Sequence, residues 1–111
     1  MTGGEAVVET LIANDVELVT GLIGSSTLEI LDGLYNNSDK VRYIGCRHES
    51  NGMIMMDAYA RYTGKNGVFL SGQAGPGVSN TVTAMAQAKA AFSPVVNLAG
   101  AIASDLSLIH I

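Results

Sequence analysis

The stretch that decides the fold is residues 17–34, Glu-Leu-Val-Thr-Gly-Leu-Ile-Gly-Ser-Ser-Thr-Leu-Glu-Ile-Leu-Asp-Gly-Leu. Its first four residues form a short apolar segment that predicts a strand, and the glycines that follow predict a turn. Ser26 and Glu29 have the spacing of a capping box, in which each side chain bonds the backbone amide of the other residue. The stretch therefore predicts a strand, a tight turn and a helix, in that order.

The same alternation continues on both sides of this stretch. Thr2 and Glu5 have capping-box spacing at the start of a helix that we expect to end near Asn14. Further strands are predicted at 41–44, 68–70 and 94–98, and further helices at 48–63 and after the glycine-rich loop 72–77, the last with an inward face of Val78, Val82, Met85 and Ala86. Short strands that alternate with helices favour parallel pairing with right-handed crossovers. The predicted fold class is α/β, a mostly parallel sheet with helices on both faces.

The composition limits the kinds of protein that this chain can be. The 111 residues have room for one small core, and we expect a single domain or part of a larger one. Hydrophobic residues make up 48% and charged residues 14%, a balance that predicts burial against other protein. Because the formal net charge is −4, the positive surface that binds nucleic acid is not expected.

Cysteine and histidine are too few for the common zinc and iron sites. The chain has one cysteine, Cys46, and two histidines, whereas a structural zinc site takes four such ligands. Cys46 ends an apolar run and is predicted to be a small core residue. No apolar run reaches membrane-spanning length and residues 1–5 lack the features of a secretion signal, so we expect a cytoplasmic location and no membrane partner.

Glu49 is the acidic residue with the most unusual expected surroundings. It begins the helix predicted over 48–63, and the residues that share its face are small or apolar: Gly52, Met53, Met56 and Ala60. Apolar surroundings favour the protonated form of a carboxyl group, which suits proton exchange with a ligand. The alternative is that an acidic residue in the first turn only stabilises the helix dipole. Asp57 and Arg61 are expected to pair on a separate, solvated face.

Three features are predicted to meet where ligands bind in such sheets, beyond the carboxyl ends of the strands. They are the turn 21–25, Glu49 and the loop 72–80. Glycine turns let the backbone approach a ligand closely, although they can equally be plain turns. The loop 72–80 lacks the lysine of a phosphate-binding loop, and neither loop has the spacing of a dinucleotide fingerprint. The sequence therefore predicts a ligand site but not one of the standard nucleotide sites.

An ordered series of motifs resembles the thiamine diphosphate enzymes of the acetolactate synthase and pyruvate oxidase type. The resemblance is to their N-terminal pyrimidine-binding domain and runs from about residue 2 to 103. The motifs are 2–6 (Thr-Gly-Gly-Glu-Ala), 21–26 (Gly-Leu-Ile-Gly-Ser-Ser), 47–49 (Arg-His-Glu), 57–64 (Asp-Ala-Tyr-Ala-Arg-Tyr-Thr-Gly), 75–80 (Gly-Pro-Gly-Val-Ser-Asn) and 93–96 (Ser-Pro-Val-Val). Each motif alone is weakly specific, whereas the ordered set is strongly so.

The resemblance implies a cofactor and roles for particular residues. Glu49 would be catalytic, sharing a proton with a ring nitrogen of the cofactor's aminopyrimidine so that the cofactor can deprotonate its own thiazolium carbon. The positions implied to line the pyrimidine site are Ile23, Gly24, Glu49, Gln73, Pro76 and Asn80. His48 is expected to shape the start of the helix rather than to donate a proton. No residue of this chain is implied to bind metal, and FAD is possible but not indicated.

The resemblance also implies partners that the chain does not contain. In the family, a Gly-Asp-Gly motif in a C-terminal domain of the partner subunit binds the diphosphate and Mg²⁺, and that motif does not occur here. We therefore expect a homo-oligomer whose second subunit completes the site. The domain is predicted at 1–105 and is expected to be a truncated pyrimidine-binding domain, with 106–111 as a non-native tail.

The implied reaction is decarboxylation of a small 2-oxo acid with transfer of the two-carbon unit. Two departures from the family pattern leave the reaction open: Ile23 stands where proline is usual, and Gln73-Ala74 where Thr-Ser is usual. Ile23 and Gln73 are similar to the sulfoacetaldehyde acetyltransferases, which are one alternative, and a 2-oxo acid decarboxylase is another. A noncatalytic binding subunit and a flavodoxin-like domain for a different ligand are the remaining alternatives.

Overall fold

The computed structural model describes residues 1–102, which form one parallel sheet with helices on both faces. The four strands lie in the order β2-β1-β3-β4 and all pair in parallel. The elements in chain order are α1 (Gly3–Ala13), β1 (Leu18–Gly21), a 3₁₀ turn (Ser25–Thr27), α2 (Leu28–Asn36), β2 (Arg42–Gly45), α3 (Glu49–Thr63), β3 (Gly67–Ser71), α4 (Pro76–Ser79), α5 (Val82–Ala90) and β4 (Val95–Ala99). The predicted α/β class is confirmed.

The core has one layer on each face of the sheet. Helices α1 and α2 cover one face, where Val19, Val68 and Leu70 are buried. Helices α3 and α5 cover the other face, where Phe69 is fully buried with Met53. Successive residues of a strand point to opposite faces, which is why Phe69 lies on one face and its neighbours Val68 and Leu70 lie on the other.

One of the two predicted capping boxes is present and the other is not. Thr2 caps α1, since its hydroxyl oxygen accepts from the amide of Glu5 at 3.1 Å and the Glu5 carboxylate accepts from the amide of Thr2 at 2.7 Å. The predicted box of Ser26 and Glu29 is wrong. Residues 25–27 form a 3₁₀ turn, and the Ser26 hydroxyl accepts instead from the amide of Ala74 at 3.4 Å. This serine therefore connects two loops rather than capping a helix.

The helix predicted after the glycine-rich loop is present with a different buried face. Ala84 and Ala88 are buried, whereas Val82 is 59% exposed and Met85 is 41% exposed. Ala86 is exposed as well and Val78, on α4, is partly buried, so the predicted inward face is wrong. Small alanine side chains let α5 approach α3 closely, and that close packing leaves the bulkier side chains outside.

Asp57 is buried, and its predicted position on a solvated face is wrong. The predicted ion pair with Arg61 is confirmed at 2.7 Å, but Asp57 is 0% exposed. Its carboxylate also accepts hydrogen bonds from the Ser93 hydroxyl and, at 3.3 Å, from the Gln87 amide. The hydrogen bond from Ser93, with the nearby charge of Arg61, lowers the pKa of Asp57. The network ties α3 to α5 and to the turn before β4.

Among residues 1–102, no helix has both the length and the apolar character needed to cross a bilayer.

The substitution Asp57→Asn is expected to destabilise the chain by about 2 kcal/mol near neutral pH, because hydrogen bonds to a charged group are lost. Since the folded-state pKa of Asp57 is lowered, its stabilising contribution is present above the ordinary value of 3.8 and is lost as pH falls through the folded-state value. The difference between the two proteins should therefore shrink below about pH 4, as measured by urea unfolding. Asp32→Asn, at an exposed position of α2, is the matched control and should change little. An equal loss from both substitutions would contradict the assignment.

Candidate functional site

Three loops converge at one edge of the sheet, where the parallel strands end. The turn after β1, the start of α3 after β2, and the loop after β3 all lie at the carboxyl ends of neighbouring strands. This edge is where open α/β sheets bind ligands. The predicted meeting of the turn 21–25, Glu49 and the loop 72–80 follows from the observed strand order.

Helix α3 begins at this edge because local contacts hold its first turn. His48 is the N-cap, and its Nδ1 accepts from the amide of Ser50 at 3.2 Å. His48 thus shapes the start of the helix, as expected. Cys46, just upstream, donates from its amide to the carbonyl of Gly21 at 2.9 Å, which ties the chain to the end of β1. Burial raises the pKa of the Cys46 thiol, in keeping with a packing role.

Gly52 lets α3 lie directly on the sheet. A Cβ atom at this position would overlap the ring of Phe69 and would lie 2.6 Å from the Sγ of Cys46. The carbonyl of Gly52 accepts from the Thr20 hydroxyl on β1 at 3.1 Å. The first turn of α3 is therefore pressed against β1 and β3, and the first residue of the helix, Glu49, is carried to the sheet edge.

The predicted apolar stripe around Glu49 is confirmed. Glu49 itself is only 7% exposed. The residues predicted to share its helical face are all buried: Gly52, Met53, Met56 and Ala60. A carboxyl group with this little solvent around it is uncommon in proteins unless it is paired or has a function.

One oxygen of the Glu49 carboxylate is fixed by a neighbour, and the other is not. Its Oε2 accepts from Nδ2 of Asn80 at 2.9 Å. Within residues 1–102, no hydrogen bond reaches Oε1. The adjacent Ser50 hydroxyl donates to the backbone carbonyl of Asn80. The carboxyl group is thus oriented by the protein while one oxygen stays available to an incoming group.

The other two loops are locked to each other through their backbones. A Cβ atom on Gly24 would overlap the carbonyl oxygen of Gly72, and one on Gly72 would overlap the carbonyl of Leu22. The Ser25 hydroxyl donates to Oε1 of Gln73 at 3.1 Å. The glycines are therefore needed for the contact between the two loops, which accounts for them within the chain itself.

The structure brings the predicted site residues together in two groups. Glu49 contacts Asn80, while Gly24 contacts the backbone of Gln73. Pro76 begins α4, and its carbonyl accepts from the amide of Asn80 at 3.0 Å. Ile23 differs from the rest, since it is 73% exposed and lines a cavity of about 380 Å³ between α2 and β2. No described contact joins Ile23 to Glu49 within residues 1–102.

Ser50 is a site residue that sequence reasoning missed. Ser50 lies beside Glu49 in the chain but off its apolar helical face, and its partner Asn80 is the residue that follows α4. No local sequence signal connects residues so far apart in the chain.

Metal ligands are not assembled in the described part of the chain. Among residues 1–102, no group of three or more His, Cys, Asp or Glu side chains is placed to hold a metal ion.

The chain is thus an α/β domain with a buried, half-satisfied glutamate at the sheet edge where such domains bind ligands. The family profile described as "Thiamine pyrophosphate enzyme, N-terminal TPP binding domain" matches residues 1–110. The chain belongs to this family, and the resemblance read from its motifs is confirmed. The predicted tail, 106–111, lies outside the described residues, and the profile match includes its first five positions. The boundary at residue 105 stays a prediction.

Curated relatives carry the names of two kinds of enzyme. The chain is 44% identical over 96 residues to a sulfoacetaldehyde acetyltransferase from Alcaligenes xylosoxydans xylosoxydans, covering 86% of this chain and 15% of that protein. It is 40% identical over 110 residues to a catabolic acetolactate synthase from Raoultella terrigena, covering 97% and 19%. It is also 40% identical over 106 residues to a probable acetolactate synthase large subunit from Methanocaldococcus jannaschii, covering 96% and 17%. The chain thus spans less than a fifth of the length of these relatives.

The substitution Gly24→Ala is expected to destabilise the chain by about 3 kcal/mol, because the new methyl group overlaps a backbone carbonyl that cannot rotate away. Gly45→Ala is the control, since a Cβ there would lie 3.9 Å from Tyr43 in ordinary contact. Urea unfolding of both variants measures the difference. If Gly24→Ala were as stable as Gly45→Ala, the two loops would not be in backbone contact.

Proposed function

We propose that this chain supplies the pyrimidine-binding half of a thiamine diphosphate site in an enzyme that decarboxylates a 2-oxo acid and transfers the two-carbon unit. The observation that carries the proposal is the Glu49 carboxyl group, buried at the ligand-binding edge with one oxygen free of hydrogen bonds in the described residues. Membership of a family described by thiamine pyrophosphate binding supports the choice of cofactor.

The residues of the site fit an aminopyrimidine ring. Such a ring carries nitrogens that exchange a proton with a carboxyl group, and Oε1 of Glu49 is the atom available for that exchange. Loss of water around the pair strengthens a shared hydrogen bond, because the local dielectric is low. The backbones of Gly24 and Gln73 lie in close contact near the same edge, and the hydrogen bond from Ser25 to Gln73 joins the two loops. In this proposal Ile23 and Pro76 line the outer part of the site.

In this proposal the cofactor and the chain have different roles, and the chain supplies the group that exchanges a proton. When bound, thiamine diphosphate supplies the carbanion chemistry and the electron sink that decarboxylation needs. Glu49 holds and exchanges a proton at Oε1 with the pyrimidine ring. The buried stripe behind it, which includes Met53, excludes water from the carboxyl group.

We further propose that a second subunit of a homo-oligomer completes the site. Large apolar side chains are exposed on the described surface, among them Ile23, Val82 and Phe92, and each is at least 59% exposed. The diphosphate and Mg²⁺ would be bound by a different domain, and nothing in the described residues favours FAD. A cytoplasmic location belongs to the same proposal and rests on the sequence composition.

The identity of the substrate is the least specific part of the proposal. Relatives named acetolactate synthase and sulfoacetaldehyde acetyltransferase match at similar identity. Ile23 and Gln73 are similar to the second kind, whereas residues 25–27 (Ser-Ser-Thr) and 57–61 (Asp-Ala-Tyr-Ala-Arg) are more generally similar to the first. We place the acetolactate synthase type first and the sulfoacetaldehyde type as the alternative.

The test of the cofactor site uses a hybrid enzyme, in which the aligned 96 residues of this chain replace those of the Alcaligenes sulfoacetaldehyde acetyltransferase. Glu49→Gln in the hybrid is expected to lower kcat by about a hundred-fold or more, because a positioned acid–base group typically contributes that much. Deuterium exchange at the thiazolium carbon, followed by NMR, should slow to a similar extent.

Glu9→Gln, on the exposed face of α1, is the matched control and should leave turnover unchanged. A hybrid with Glu49→Gln that exchanges deuterium at the unsubstituted rate would overturn the proposed role of Glu49.

The test of the reaction uses the complete open reading frame that contains this sequence, expressed to its stop codon. Purified with thiamine diphosphate and Mg²⁺, the product should consume pyruvate and release carbon dioxide. Turnover of sulfoacetaldehyde instead would favour the alternative. No turnover of either compound, together with cofactor binding, would favour a noncatalytic subunit and contradict the proposed reaction.

A further inference from the structure

We propose that Asn80 is a positioning residue that acts through Glu49, holding Oε2 so that Oε1 is the oxygen presented to the ligand. This inference rests on the proposed function for the identity of the ligand. The contact between the two residues does not depend on that function, since it is a property of the chain itself.

Asn80 forms hydrogen bonds with two consecutive residues in the first turn of α3. Its side-chain Nδ2 donates to Oε2 of Glu49 at 2.9 Å, and its backbone carbonyl accepts from the hydroxyl of Ser50. Because a carboxylate can only accept, the amide must turn its NH₂ group toward Glu49. The two bonds together fix both the rotation of the carboxyl group and the distance of α3 from α4.

The backbone of Asn80 is itself held on both sides. Its amide donates to the carbonyl of Pro76 at 3.0 Å, which closes the single turn of α4. The next residue, Thr81, is fully buried, and its hydroxyl accepts from Nδ2 of Asn97 on β4 at 3.1 Å. Asn97 also accepts from the Ser71 hydroxyl at the end of β3 at 2.7 Å. The amide that orients Glu49 is therefore anchored to the sheet.

This arrangement assigns different tasks to the two oxygens of Glu49. Oε2 accepts one hydrogen bond from a neutral amide, which holds the carboxyl group without placing a second charge beside it. Oε1 lacks a partner in the described residues and keeps its lone pairs for a proton donor on the ligand. Without Asn80 the carboxyl group would be free to rotate, and the proton-accepting oxygen would spend less time in the productive orientation.

The competing explanation is that Asn80 contacts the cofactor directly. Asn80 is exposed, so part of its surface is accessible to a ligand. A direct contact and a contact through Glu49 make different predictions when both residues are changed. If Asn80 acts through Glu49, its removal has no further effect once the Glu49 carboxylate is gone.

The first experiment is an NMR measurement on the 111-residue chain without cofactor. The side-chain NH₂ protons of Asn80 should be shifted downfield by the carboxylate and should move upfield in Glu49→Gln. The NH₂ protons of Asn97, which bond Thr81, are the internal control and should not move. An Asn80 signal that is unchanged by Glu49→Gln would overturn the inference whatever the fate of the proposed function.

The second experiment is a double-substitution cycle in the hybrid enzyme described above. Asn80→Ala alone should slow deuterium exchange at the thiazolium carbon by about 10- to 100-fold, the range expected for one hydrogen bond to a charged group. It should also weaken the binding of thiamine diphosphate, which calorimetry would show as a higher dissociation constant. Ser79→Ala is the adjacent control and should leave both quantities unchanged, since Ser79 is exposed and its hydroxyl bonds only the nearby carbonyl of Pro76 in the described residues.

The outcome of the cycle separates the inference from the proposed function. Equal exchange rates for Glu49→Gln and for the double variant would support a role through Glu49. If adding Asn80→Ala to Glu49→Gln slowed exchange by the same factor as Asn80→Ala does alone, Asn80 would act independently of Glu49. The inference would then fail, while the role of Glu49 would stand. If Glu49→Gln alone had no effect, the proposed function would fail and this inference with it.

Discussion

The close approach of α3 to the sheet is the constraint on which the rest of the site depends. It exists because Gly52 faces the ring of Phe69 and bonds the hydroxyl of Thr20, with no side chain of its own in between. Burial of the helix's apolar stripe on the sheet supplies most of the favourable free energy. Packing of that stripe against the sheet fixes the position of the first residue of the helix, so Glu49 is buried as a consequence of packing.

A second constraint joins the loops that surround this glutamate. The turn after β1 and the loop after β3 touch through glycine backbones, and Ser25 bonds Gln73 across the contact. Backbone contacts of this kind leave little freedom for the loops to separate, which preorganises the ligand-binding edge. The sequence left open whether these glycines serve ligand binding or plain turns, and the structure gives them a role in the contact between the loops.

The sequence predicted those parts of the fold in which hydrophobic residues recur at a regular spacing within one helix or strand. The strands, the α/β class and the stripe behind Glu49 follow from spacings within single elements. The errors concern partners far away in the chain: Asp57 bonds Ser93 and Gln87 on another helix and turn. Likewise, the buried face of α5 depends on how closely α3 can approach, which favours Ala84 over Met85 and is not encoded in the hydrophobicity of α5 alone.

Helix α3 carries two buried carboxyl groups, about two helical turns apart, and their difference is informative. Asp57 accepts from three side chains, one of them the guanidinium of Arg61, as expected of a charge with a structural role. Glu49 accepts from a single neutral amide in the described residues, which leaves one of its two oxygens without a hydrogen bond at the edge of the sheet. A buried carboxyl group whose oxygens are bonded on both sides stabilises a packing arrangement, whereas one with an unbonded oxygen at the edge of a parallel sheet is a candidate functional group. The contrast within one helix is therefore a stronger reason to assign function to Glu49 than its burial alone.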